Sequence, residues 1–178
     1  TEIASLNLDW MDRDGDDPSW VEIYNSGADT ANLKGYALVE NLKEPKKWVF
    51  GNEWIPPKSF RTIFCDKKDV VTVYGIKDTV DADKNVLHSR THTNWKLDKS
   101  GGTIYLIDPS NAIRDTADYP ELAGGVSWGI VDGGAWKYFG KSTPEKKNTE
   151  STAYDAMAPS VDLSSIKAGF YDEKGVTI

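Results

Sequence analysis

The sequence predicts an all-β fold, a sandwich or barrel of antiparallel strands, on three observations. Nearly every periodic segment repeats its apolar residues at period two. Glycine pairs at 101–102, 124–125 and 133–134 mark turns at short spacing between brief strands, the punctuation of sandwiches rather than of βαβ units. No window carries the 3.6-residue apolar period of an amphipathic helix.

The elements follow in order. Ile3 to Leu8 alternates as a half-buried strand and leads into an acidic loop, 9–18. Trp20 to Asn25 (WVEIYN) is the second strand, with Val21 and Ile23 on one face and Trp20, Glu22 and Tyr24 on the other. Leu33 to Glu40 is expected as the third, and Lys46 to Phe50 as a short, lysine-flanked edge strand. Trp54-Ile55-Pro56-Pro57 reads as a proline-ended bend before the strand Phe60 to Cys65. Residues 66–91, mostly polar, form the longest expected loop.

The stretch from His92 to Asp108, HTNWKLDKSGGTIYLID, is expected to form a central hairpin turned at Gly101-Gly102. Ile104 and Leu106 face one way, Tyr105 and Ile107 the other, so this strand is covered on both faces. Ala112 to Tyr119, Val126 to Val131 and Trp136 to Phe139 complete the strands. Lys141 to Ser160 is rich in Thr, Lys, Ser and Ala and has the character of a linker.

A chain of 178 residues is one domain of ordinary size that buries about 70% of its extended surface and needs no disulfide. Its single cysteine, Cys65, ends the apolar run FRTIFC and reads as a small buried hydrophobe. The net charge of −7 argues against a nucleic-acid partner, whose phosphates demand basic residues. No stretch approaches the ~20 apolar residues of a membrane-spanning helix.

Four features bear on chemistry. Asp12, Asp14 and Asp16 stand at alternate positions in the acidic loop, where they can offer several of the oxygens that Ca²⁺ takes. The EF-hand pattern is not met, since its sixth and twelfth places, counted from Asp12, hold Asp17 and Ile23. A solvated turn is the plainer reading. His88 and His92 lack a third zinc ligand nearby; His92 is expected to order the hairpin by bonding to backbone. Glu22, among aromatics, is a candidate acid with a raised pKa, though a cross-strand lysine pair or a bond to a neighbouring loop explains it as well. Of seven tryptophans, Trp54 beside Pro56-Pro57 and Trp136 beside Gly133-Gly134 sit in loop contexts and are the two expected exposed platforms for a ligand. No nucleophilic triad, P-loop or dinucleotide fingerprint is present, and catalysis is not expected.

Several motifs occur together in a familiar order. They are WVEIYN at 20–25, LKGYAL at 33–38, WVF at 48–50, IPP at 55–57, HTNWKL at 92–97, GGTIYLID at 101–108, Asp115 with Tyr119-Pro120, SWG at 127–129 and Thr143-Pro144. The sequence resembles the lamin tail domain of the bacterial secreted type across roughly 1–148. The resemblance implies an immunoglobulin-like antiparallel β-sandwich and a non-catalytic binding or tethering module, extracellular or on the cell surface, that attaches to envelope, protein or polysaccharide partners. The tail 158–178 (APSVDLSSIKAGFYDEKGVTI) is similar to the start of a chitobiase/β-hexosaminidase C-terminal-like module. The expected organisation is therefore a domain at 1–148, a linker at 149–160 and, at 161–178, the start of a following module in a longer multidomain chain. The alternative reading is a calcium-stabilised carbohydrate-binding module.

Overall fold

The computed structural model describes residues 1–71, 76–131 and 134–157. Its first strands are β1 (Glu2–Ala4), β2 (Trp20–Tyr24), β3 (Ala31–Asn32), β4 (Ala37–Val39), β5 (Trp54–Ile55) and β6 (Phe60–Cys65). A small hairpin of β7 (Thr79–Val80) and β8 (Val86–Leu87) lies within the long polar stretch. β9 (Thr91–Thr93), β10 (Gly101–Ile107), β11 (Ile113–Pro120), β12 (Ser127–Ile130), β13 (Trp136–Phe139) and β14 (Ala153–Tyr154) follow. The only helix among the described residues is a turn of 3₁₀ at Glu150–Thr152, and none is long and apolar enough to cross a membrane.

Two sheets face each other as an immunoglobulin-like β-sandwich. The larger has the order β14-β13-β12-β1-β2-β6-β9, the smaller β11-β10-β4. Every pairing is antiparallel except β6 with β9. Period two does the sorting. Ile3, Val21 and Ile63 stand opposite one another on β1, β2 and β6 and meet Leu38, Trp95 and Ile104 between the sheets. Ala4, Trp20 and Phe64 alternate to the outer face and pack there against Trp10. β10 is central in its sheet and covered on both sides, Ile104 and Leu106 toward the core and Ile107 against Ala37 and Val39.

The segment 92–108 is not a hairpin. β9 lies in the large sheet and β10 in the small one, so the chain between them crosses the sandwich. Trp95 crosses with it, filling the core and donating from Nε1 to the Leu38 carbonyl at 3.0 Å. The hairpin partner of β10 is β11. Gly101, at φ +97°, is there because β11 passes so close that a Cβ would lie 2.7 Å from the Tyr119 carbonyl oxygen. Gly101→Ala is expected to cost about 2 kcal/mol, read as a lower urea midpoint; an unchanged midpoint would show that the crossover yields freely.

Three other segments are shorter than their alternation suggests. β1 stops at Ala4 because the Asn7 side chain gathers the loop, donating to the Trp10 and Pro18 carbonyls and accepting from the amides of Asp9 and Trp10. The run 33–40 is broken by a turn with Gly35 at φ +81°, so only Ala37–Val39 pairs. Residues 46–50 make a single bridge, Ala37 to Val49, although Trp48 and Phe50 reach the core. The linker-like stretch is tied to the sandwich: 142–148 straps across the outer face, and Ala153–Tyr154 extends the large sheet.

Candidate functional site

The acidic loop is built around one buried carboxylate. Asp12 is fully buried, and its Oδ1 accepts from the amides of Asp14 (2.9 Å) and Asp16 (3.0 Å), an Asx-type turn that brings the exposed carboxylates of Asp14 and Asp16 toward it. Their oxygens lie within 4.8 Å of one another, as do ligand atoms of Asp12, Asp66 and His92. The alternate spacing thus gathers the three carboxylates that are the candidate calcium ligands. At their centre is a cation from a distant part of the chain. The Lys68 ammonium donates to Asp12, to Asp14 at 2.7 Å and to Asp16 at 2.8 Å, with Asp66 at 3.9 Å. Partial burial works against that charge, but the hydrogen bonds to Asp12, Asp14 and Asp16 prevail and hold its pKa above the ordinary lysine range. The bond from Lys68 in turn draws the Asp14 carboxyl below its usual value.

Each histidine has its own carboxylate. His92 Nδ1 lies 2.9 Å from Asp66, where a backbone partner was expected; β9 presents the imidazole to a side chain at the end of β6. Burial would lift the Asp66 pKa, but its hydrogen bonds, led by the one from His92, bring it below the usual value. His88 lies flat on Trp10, centroids 3.6 Å apart, with Asp78 2.8 Å from Nδ1. Cys65 is buried, and burial pushes its thiol well above the ordinary range, consistent with a packing role.

Glu22 takes the loop bond rather than a lysine. It accepts from the Glu145 amide at 2.5 Å and the Thr1 hydroxyl at 2.7 Å. Directly across the ladder stands a second acid, Glu2, which accepts from Ser127 and from both the amide and the hydroxyl of Thr143. Both are buried under the strap, 0% and 3% exposed. Burial is the main cause that pushes the Glu22 carboxyl up to about 8 and raises Glu2 as well. Arg90 then clamps Glu145 with two bonds, 2.6 and 2.8 Å, while holding Asp78 at 2.7 Å. The raised pKa anticipated for Glu22 is present, in the service of anchoring. The period-two pattern already places Glu22 beside Trp20 on one face; Glu2, Thr143 and Arg90 carry no local signal of their part.

The two tryptophans expected as platforms lie on different sheets. Trp54, 37% exposed, is in the β3–β5 pair. Trp136 is half-buried on β13, its ring 6.2 Å from that of Trp128 and nearly parallel, while Tyr138 tilts against Trp128 at 4.6 Å. Trp128 donates from Nε1 to the Asp118 carbonyl at 3.0 Å and so caps part of the free edge of β11, which would otherwise invite pairing.

No curated protein and no solved structure matches this chain. A family model described as Lamin Tail Domain matches residues 3–121, from β1 through β11. That span contains the whole of the smaller sheet and the strands β1, β2, β6 and β9 that oppose it. A match over more than half of the chain, on a sandwich of this kind, means that the chain belongs to the lamin tail domain family of non-catalytic immunoglobulin-like modules.

Proposed function

We propose that this chain is a binding and tethering module, extracellular or on the cell surface, that attaches a longer multidomain protein to a protein or polysaccharide partner. Membership of a non-catalytic family supports it. The observation that carries it is a row of aromatic side chains, Trp128, Tyr138 and Tyr154, that leads along one face of the large sheet from the core toward solvent. Aromatics with one wet side supply contact area at low entropic cost. The test is retention: the chain fused to a fluorescent reporter is expected to be held on at least one of cell-envelope fractions, immobilised surface proteins, chitin or xylan. Retention no greater than that of the reporter alone on all of them overturns the reading.

The second reading is the calcium-stabilised carbohydrate-binding module, favoured by the convergence of Asp12, Asp14 and Asp16 and by the exposure of Trp54. It expects tryptophan fluorescence to shift on titration with soluble chitin or xylan oligosaccharides. A flat response across that panel removes it.

A further inference from the structure

The large sheet is wider than the small sheet that covers it. Ile3 pairs with Trp128, Trp128 with Tyr138 and Tyr138 with Tyr154, so these four side chains share one face. Exposure rises along the row from 2% at Ile3 to 60% at Tyr154, and neither Tyr138 nor Tyr154 belongs to the core. β13 and β14 therefore overhang, and the overhang lies beyond the residues that the family model matches. Beside it is a groove of about 1020 Å³, with Tyr138 and Tyr154 as its aromatic side and Leu122 and Met157 among its apolar wall. The charged residues that line it are Glu121 and Asp155, both acids. Glu121 makes no ion pair among the described residues, while Asp155, 89% exposed at its side chain, is shared with Lys137 at 2.9 Å.

We propose that this groove docks a segment of a partner protein that presents an arginine or lysine side chain next to apolar residues. The inference rests on the binding-module reading and names its surface and the chemistry of its partner. An apolar trough with two carboxylates and no base in its lining complements a cation carried on an apolar segment. Ring faces add to this, since a guanidinium or ammonium is drawn to the face of Tyr or Trp, and arginine also stacks there. The net charge of −7 draws the same partner from a distance. Phosphate-bearing ligands meet repulsion from the same acids.

The probes are short fluorescent peptides on one apolar background that differ in a central Arg, Lys, Gln or Glu, with chitin and xylan oligosaccharides alongside. Fluorescence anisotropy is expected to show the Arg and Lys peptides binding, the Gln and Glu peptides about tenfold weaker or worse, and the difference shrinking at about 0.5 M salt. Glu121→Lys and Tyr154→Ser, both at exposed positions, keep the circular dichroism of the native chain and each weaken the Arg peptide about tenfold. Equal binding of the Arg and Gln peptides, or indifference to both variants, overturns the proposal. So does oligosaccharide binding that the variants abolish, which would make the occupant a glycan. Binding that emerges only on removal of residues 158–178 also overturns it, because the groove would then belong to the chain's own tail. In the retention assay, a fully retained Glu121→Lys fusion sinks the groove while the tethering reading stands, whereas an unretained native fusion sinks the reading itself.

Discussion

Lys68→Ala is expected to unfold about 6–12 °C below the native chain, for a loss of about 3 kcal/mol. Its ammonium is the cation shared by Asp12, Asp14 and Asp16, and Asp12 has no exposed surface. Deleting the ammonium leaves a buried carboxylate beside two more, with the amides of residues 14 and 16 as the remaining donors to it. A broken buried pair costs roughly 3–5 kcal/mol; the low end applies because the Lys68 side chain is 26% exposed and water screens part of the field. Calcium is the decisive second variable. The native midpoint is expected to be the same in millimolar calcium and in chelator, since Lys68 already supplies the cation. In Lys68→Ala, calcium is expected to restore part of the lost stability. A native midpoint that rises with calcium would show that the ion displaces the ammonium, as the carbohydrate-binding reading requires.

This loop also shows where sequence reasoning reaches and where it stops. Alternate aspartates around a glycine are a local pattern, and local chemistry turns their carboxylates toward one another. Lys68 lies 56 residues from Asp12, and nothing around it distinguishes it from its neighbour Lys67. Strands bounded by strong punctuation are legible to the residue: Phe60–Cys65 after Pro56-Pro57, and Trp136–Phe139 between Gly133-Gly134 and Gly140. Period two reports which way side chains point, and it does so correctly for Ile104, Leu106 and Ile107. It does not report which strand lies alongside. Hence a crossover between sheets has the appearance of a hairpin when two alternating runs flank a glycine pair.

The strap makes the complementary point. Thr143, Glu145 and Asn148 have the composition of a linker, because linkers and hydrogen-bonding straps draw on the same polar residues. What separates them is the partner. Here two acids on adjacent strands, Glu2 and Glu22, turn their carboxyls to the outer face and need donors. An acid on the same strand face as the large apolar Trp20 is the one local sign that something must cover it. The same accounting explains why Arg90 is held between Asp78 and Glu145: it fastens the strap to the polar stretch that contains β7 and β8.

Stability is expected to fall as pH rises from about 5 to about 9, and Glu22→Gln to abolish most of that fall. Unfolded, the Glu22 carboxyl releases its proton near 4.5; folded, burial keeps the proton on until about 8. Between those values the folded chain binds more protons than the unfolded one, so raising the pH favours unfolding. A shift of that size is worth on the order of 5 kcal/mol at about 1.36 kcal/mol per pH unit, fully lost above the folded value. Glu2, raised in the same direction, adds to the slope. The Thr1 amine, lowered chiefly by burial and raised in part by the Glu22 charge, works in the opposite sense below pH 8 in the native chain and the variant alike. Asp66 and Asp78, whose carboxyls are depressed, contribute stability that is lost only as pH falls through their folded values, below this window. Glu22→Gln keeps an oxygen to accept from the Glu145 amide and removes the titration. The variant is expected to match the native urea midpoint near pH 5 and to exceed it clearly at pH 9. Equal native midpoints at the two pH values would mean that Glu22 ionises under the strap at little cost, and that the strap is held by Glu2 and the Arg90 clamp instead.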